Sequence, residues 1–171
     1  MTLLKNNVQL LPAAPASKRN VWLYGVSASA ATAMGYTVVT DLAQANLAVV
    51  RLSDPRGGTE LTDLNFTGLE ADYKAFRAAV NAGIPTVAVS KLDRPLVLTN
   101  VVDRASAVLA NYGVSDTVLM QTIAGQRQPG GKLPFELPRS MAAVLAQLSD
   151  VPDDSADPLF KVGDSLKYAA P

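Results

Sequence analysis

Apolar positions in this chain fall in short runs punctuated by glycine and proline, and the runs alternate between two periods. Asn20–Tyr24 (Asn-Val-Trp-Leu-Tyr) is β-branched and aromatic and stops at Gly25, which predicts a buried strand. Residues 27–34 are rich in alanine and end at Gly35, the pattern of a short helix with a glycine cap. Residues 36–39 predict a second strand, Asp41 caps a helical turn through Ala45, and Leu47–Leu52 is the next strand. Thr67 and Glu70 stand in capping-box spacing, and Leu69, Tyr73, Phe76 and Val80 form an i, i+4, i+7, i+11 stripe. Gly83 sits where that helix should end. A continuous apolar strand at 86–90 follows Pro85, then strands at 96–99 and 107–110, a helix over 115–124 stopped by Gly125, and a further helix over 140–148.

Strands rich in Val and Leu that alternate with helices predict an α/β fold, a three-layer α/β/α sandwich with a mainly parallel sheet in a single domain. Residues 20–149 would form its core, 1–19 a linker-like segment packed on it, and 150–171 an Asp- and Pro-containing tail ordered by packing. In such folds ligands bind outside the carboxyl ends of the strands. That directs attention to 53–66, a polar, glycine-containing stretch without period, and to the turns after Tyr24 and Ser90.

Segment 129–138 (Pro-Gly-Gly-Lys-Leu-Pro-Phe-Glu-Leu-Pro) breaks the pattern. Its prolines exclude a helix and its glycine pair marks a turn. An extended run is left whose Leu133, Phe135 and Leu137 share one face and should lie against a core.

Composition narrows the chemistry. The 171 residues are 49% hydrophobic and 18% charged, which suits one water-soluble domain with a core of its own. Fifteen basic residues balance fifteen acidic ones, so no field favours nucleic acid or an anionic membrane. No apolar run approaches a membrane span, and the N-terminus lacks the basic and apolar regions of a signal peptide, so the cytoplasm is the expected compartment. Without cysteine there is no disulfide, thiol nucleophile or thiolate metal site. Without histidine the Ser-His-Asp and Cys-His arrangements are excluded, with the commonest zinc ligand. Chemistry must rest on carboxylates, lysine, tyrosine or hydroxyls, and no cofactor or metal is expected.

Three motifs have plain readings. Residues 125–132 imitate a phosphate loop, but the spacing is off by one, no Ser or Thr follows Lys132, and Leu133-Pro134 cannot open a helix. Asp150, Asp153, Asp154 and Asp157 lack the spacing and central glycine of a calcium loop and read as a solvated acidic tail. Trp22 and Tyr24 share one face of a strand and read as packing before they read as a sugar platform. The loop Ser53-Asp54-Pro55-Arg56-Gly57-Gly58-Thr59-Glu60-Leu61-Thr62-Asp63 gathers three carboxylates and an arginine at the binding edge. Composition alone reads them as surface charges. A carboxyl there with a raised pKa would be a general acid.

Four segments, in order over nearly all of the chain, resemble the C-terminal domain of glycoside hydrolase family 3, the β-glucosidase and β-xylosidase family. Leu3-Leu4-Lys5-Asn6 with Leu11-Pro12 is similar to the linker entering that domain, and Thr86-Val87-Ala88-Val89 through Asp93-Arg94-Pro95 to its strand and "x-R-P" turn. Residues 125–138, including Gly131-Lys132-Leu133-Pro134, resemble "G-x-x-x-P-x-G-K-L-P-x-x-x-P". Residues 158–168 resemble the closing "P-L-F-x-x-G-x-G-L-x-Y", with Ser165 at its second glycine.

The resemblance implies a retaining glycosidase with an Asp nucleophile on an N-terminal (β/α)8-type barrel and an acid/base on a loop of this domain, the two carboxyls about 5–5.5 Å apart. Such a barrel needs roughly 200 residues or more, so this chain does not hold both halves. Glu60, with Asp63 three residues on, matches the family's acid/base spacing, although Leu61 and Leu64 replace a Gly and an Arg. In relatives with a "P-x-E-P-R" loop the acid falls instead on Asp54, ahead of Pro55-Arg56. Arg56, Gly57, Gly58 and Asp63 would contact the substrate. The implied partners are a barrel in cis or in trans and a small carbohydrate, with a homo-oligomer left open. A non-catalytic carbohydrate-binding or scaffold module derived from the same domain is the alternative.

Overall fold

The computed structural model describes residues 1–15, 19–55 and 64–168. In it Thr2–Asn6 (β1), Asn20–Tyr24 (β2), Thr37–Val39 (β3), Leu47–Leu52 (β4), Thr86–Lys91 (β5) and Ala107–Asn111 (β6) join one sheet in the order β1-β6-β5-β4-β2-β3. All neighbours are parallel except β1, which runs antiparallel to β6. The helices are Ala28–Ala33 (α1), Ala71–Asn81 (α2), Thr99–Val102 (α3), Asp116–Ile123 (α4) and Met141–Ala146 (α5).

Alternation along the central strands supplies both faces of the sheet. Val49, Val87, Val89 and Leu109 pack under α1 and α4, against Ala31, Leu119, Met120 and Ile123. Val50, Leu52, Ala88 and Val108 pack on the other side under α2 and α3, against Tyr73, Phe76 and Val101. These are the three layers that the alternation of strands and helices predicts.

Local signals explain most boundaries. Asp41 accepts from the Ala43 N–H at 2.9 Å and caps the turn Leu42–Gln44. Ser115 caps α4 and Ser140 caps α5, each hydroxyl accepting from an N–H three residues on. Gly35, Gly83 and Gly125 follow their helices at positive φ, the C′ conformation that glycine adopts without strain.

Three expectations need correction. Residues 96–99 do not make a strand: Val97 forms one parallel bridge to Asn65, and the chain then turns into α3. Among the described residues no strand stands alongside to continue the ladder, and Leu98 and Val101, three apart at the start of α3, are both buried. Leu69 is 80% exposed and does not belong to the α2 stripe, because the helix begins only after Glu70. The capping box is likewise shifted: Glu70 is itself the N-cap residue, and its carboxylate closes a turn on Thr67 and Gly68.

The N-terminal residues make the edge strand β1, which sequence periodicity did not show. Segment 129–138 does lie against the core as its alternation predicts: Leu133 and Leu137 are buried, and Phe135 packs beside them. Its backbone pairs with the closing motif. Leu133 N–H donates to the Asp164 carbonyl at 3.1 Å, Gly163 N–H to Leu133 at 2.8 Å, and Leu137 exchanges bonds with Leu159 and Phe160. Both segments also reach the N-terminal edge of the sheet, through Gly131 N–H to Met1 O at 3.0 Å, just before β1, and Leu166 N–H to Leu3 O at 2.7 Å within it. The two family-like motifs are thus a clasp along an edge strand.

Candidate functional site

The parallel strands change winding direction between β2 and β4, since β3 lies outside β2 while β5 and β6 extend the other way. Ligands of such sheets collect outside the carboxyl ends at that switch point. A cleft of about 370 Å³ opens there, lined by Tyr24, Ser53, Asp54, Pro55, Glu70 and Asp72.

Its described carboxylates are all engaged. Asp72, in the first turn of α2, accepts from Ser53 N–H at 2.6 Å and from its neighbour Tyr73 N–H at 2.7 Å. Burial pushes the Glu70 carboxyl up, but bonds from the N–H groups of Glu70, Thr67 and Gly68 and the Thr67 hydroxyl outweigh it and hold Glu70 below its ordinary value.

Asp54 faces Arg94 in a two-pronged pair. Arg94 Nε donates to Oδ2 at 2.9 Å and an Arg94 terminal nitrogen to Oδ1 at 3.0 Å. The Asp54 side chain is 7% exposed, against 30% for Arg94. Such forks fix direction as well as distance. Arg94 also walls a second, larger groove of about 690 Å³, with Leu64, Phe135, Glu136, Leu145 and Leu148 on its sides. The pair therefore divides the cleft from the groove.

The tail beside that groove is tied down by its aspartates rather than simply solvated. Asp153 accepts from Glu136 N–H, Asp154 from Leu148 N–H, and Asp157 pairs with Arg139 at 2.7 Å. Buried Glu136 in turn accepts from Gln147 and from Ser155 N–H. Among the described residues no three Asp or Glu side chains converge as a metal site.

Comparison with known proteins then decides the family. The model of the glycosyl hydrolase family 3 C-terminal domain matches residues 36–168. The chain belongs to this family. It is 39% identical over 173 residues to beta-glucosidase C of Emericella nidulans, covering 98% of this chain and 28% of that protein. It is 40% identical over 178 residues to the periplasmic beta-glucosidase/beta-xylosidase of Dickeya chrysanthemi, covering 98% and 27%. Among solved structures, the beta-glucosidase of Listeria innocua in complex with isofagomine superposes with a TM-score of 0.74 at 17% identity, over 98% of this chain and 32% of that one. The chain thus spans little more than a quarter of the curated relatives it matches.

Of the residues singled out in this family 3 domain, only Asp54 is among those described. Glu60, Arg56, Gly57, Gly58 and Asp63 lie outside them. Asp54 stands at the switch-point cleft, where the fold argument expects chemistry. Sequence reasoning noticed Arg94 as part of a turn but not as the partner of Asp54. Forty residues separate the two, and no local spacing connects them.

Proposed function

We propose that this domain supplies one wall of a family 3 glycosidase active site of the β-glucosidase type, completed by a (β/α)8-type barrel in the same or another chain. The observation behind the reading is that the C-terminal domain family covers 36–168 while the relatives named beta-glucosidases are more than three times longer. In this reading a barrel carboxylate attacks the anomeric carbon of a small β-linked carbohydrate as Glu60 gives its proton to the departing oxygen. A water then attacks the glycosyl-enzyme, Glu60 takes the water's proton, and the sugar leaves with its configuration retained. Arg56 and Asp63 orient sugar hydroxyls, and Gly57 and Gly58 let the backbone approach the ring.

The test combines the purified chain with a family barrel and an aryl β-glucoside. The chain alone should be inactive, the mixture active, and Glu60→Gln should lower kcat by about 10²–10⁴-fold. Hydrolysis by the chain alone, or none with any barrel, overturns the reading. Saccharide binding by calorimetry without partner-dependent hydrolysis would install the non-catalytic module instead. Sedimentation of the same samples reads stoichiometry and any self-association. Among the described residues no helix is long and apolar enough to cross a membrane. We place the protein in the cytoplasm, and fractionation checks this, since one relative is named for the periplasm.

A further inference from the structure

We infer that Trp22 and Tyr24 form a saccharide-binding shelf, which runs from the switch-point cleft along β2 and takes a further ring of a β-linked oligosaccharide beyond the one at the cleft. Naming a saccharide as the occupant rests on the reading above. The shelf itself does not.

The sheet is unequally covered at this end. On one side α2 is seated over β4 and β5. None of the described helices has its main packing contact with β2 or β3 on that side, because α1, the helix that joins the two strands, lies on the other face. Trp22 and Tyr24 stand two apart on β2, so both point to the less covered side, and both remain partly exposed. Val39 adjoins Trp22 in the parallel register. The two rings lie 6.3 Å apart with their planes 31° from parallel. Two flat apolar surfaces therefore follow one another along the strand. Buried Trp and Tyr usually find a partner for N–H and O–H. Here neither polar tip has one among the described residues, which leaves an indole donor and a phenol hydroxyl for a ligand.

Tyr24 is also a wall of the cleft, opposite Ser53, Asp54, Glu70 and Asp72. Three carboxylates there repel a phosphate or carboxylate ligand. Their charge is already spoken for, which disfavours a cation as well. Asp54 pairs with Arg94, Asp72 accepts from the Ser53 and Tyr73 N–H groups, and Glu70 accepts from Thr67 and Gly68. A carboxylate offers about four lone-pair sites, so each still has acceptor capacity at its rim. Apolar planes joined to hydrogen-bond acceptors suit a neutral polyol, whose C–H faces stack on the rings while its hydroxyls donate at the cleft.

Trp22 is the single tryptophan of the chain, so its fluorescence reads the shelf directly. The purified full chain is titrated with glucose and with its β-linked disaccharide and trisaccharide. The emission should shift and saturate, with affinity rising from the monosaccharide to the trisaccharide. By calorimetry Tyr24→Ala should weaken trisaccharide binding about tenfold, and Tyr24→Phe, which keeps the ring, should stay within about threefold. Trp22→Ala should match Tyr24→Ala, and Trp22→Tyr guards against a variant that fails to fold by keeping a ring in place. In the barrel-completed assembly Tyr24→Ala should lower kcat/KM for the trisaccharide at least about fivefold more than for an aryl β-glucoside.

No spectral change up to about 100 mM saccharide overturns the shelf, as does equal loss on both substrates. A saturable response to tetramethylammonium without one to the saccharides would make the site a cation cage and overturn it too. An inactive wild-type assembly brings down the functional reading alone, because saccharide binding to this chain by itself still decides the shelf.

Discussion

Two adjacent glycines behave differently because their surroundings differ. A Cβ on Gly131 would lie 2.6 Å from Met1 O and 2.9 Å from the Thr2 hydroxyl, both on the edge-strand side of the clasp. A Cβ on Gly130 would meet nothing within 4 Å. Gly131→Ala should therefore destabilise the domain by about 1–3 kcal/mol, since backbone has to move. Gly130→Ala should change it by less than about 0.5 kcal/mol. Urea midpoints of the two variants side by side check this, and equal midpoints would refute it.

Tyrosine phenols pin the α1 and α4 side of the sheet. Tyr36 donates to Ala13 O and Tyr168 to Thr122 O at 2.7 Å. Burial pushes Tyr36 up from 10.0 to about 12, against a smaller opposite pull from Arg19. Burial, with Tyr36 nearby, pushes Tyr168 up as well. The fold holds the neutral phenol, so between these values it binds more protons than the unfolded chain. Its contribution is whole below pH 10 and is lost as pH rises through about 12. Denaturation midpoints measured across pH 9–12 should fall, and Tyr36→Phe, weaker by about 1 kcal/mol at neutral pH, should show a shallower fall.

At the scale of elements, α2 offers the sharpest contrast between pattern and outcome. Phe76 is fully buried and stacks on Tyr73 at 5.8 Å, whereas Leu69 stands in solvent. Phe76→Ala should cost about 3–5 kcal/mol and Leu69→Ser less than about 0.5 kcal/mol, read by thermal or urea unfolding. Similar losses would mean that the helix starts a turn earlier. Elements set by their own sequence were legible: β2, β4, β5, β6 and α4 follow from apolar runs closed by glycine or serine caps. Elements set by a distant partner were not. Thr2–Asn6 is a strand because β6 offers a free edge, and 96–99 is none because, among the described residues, a single bridge from Asn65 is its only pairing. The same limit hid the Asp54–Arg94 ion pair, which forms only after β4 and β5 have paired.

For the whole molecule, the clasp has a consequence for how the domain is attached to anything else. Met1 O is held by Gly131, while Tyr168 N–H donates to the side chain of Gln128 at 3.2 Å. Gln128 and Gly131 are three residues apart, which the backbone spans in at most about 11 Å. Entry and exit of the chain therefore share one corner of the domain, and polypeptide continuing from either position emerges beside the other. Ends that lie side by side suit the domain to be transplanted as a unit. Inserting residues 1–168 into an exposed loop of an unrelated host should leave both bodies folded, with two independent unfolding transitions in calorimetry. A host that no longer folds around the insert would show that the two ends lie farther apart than the clasp indicates.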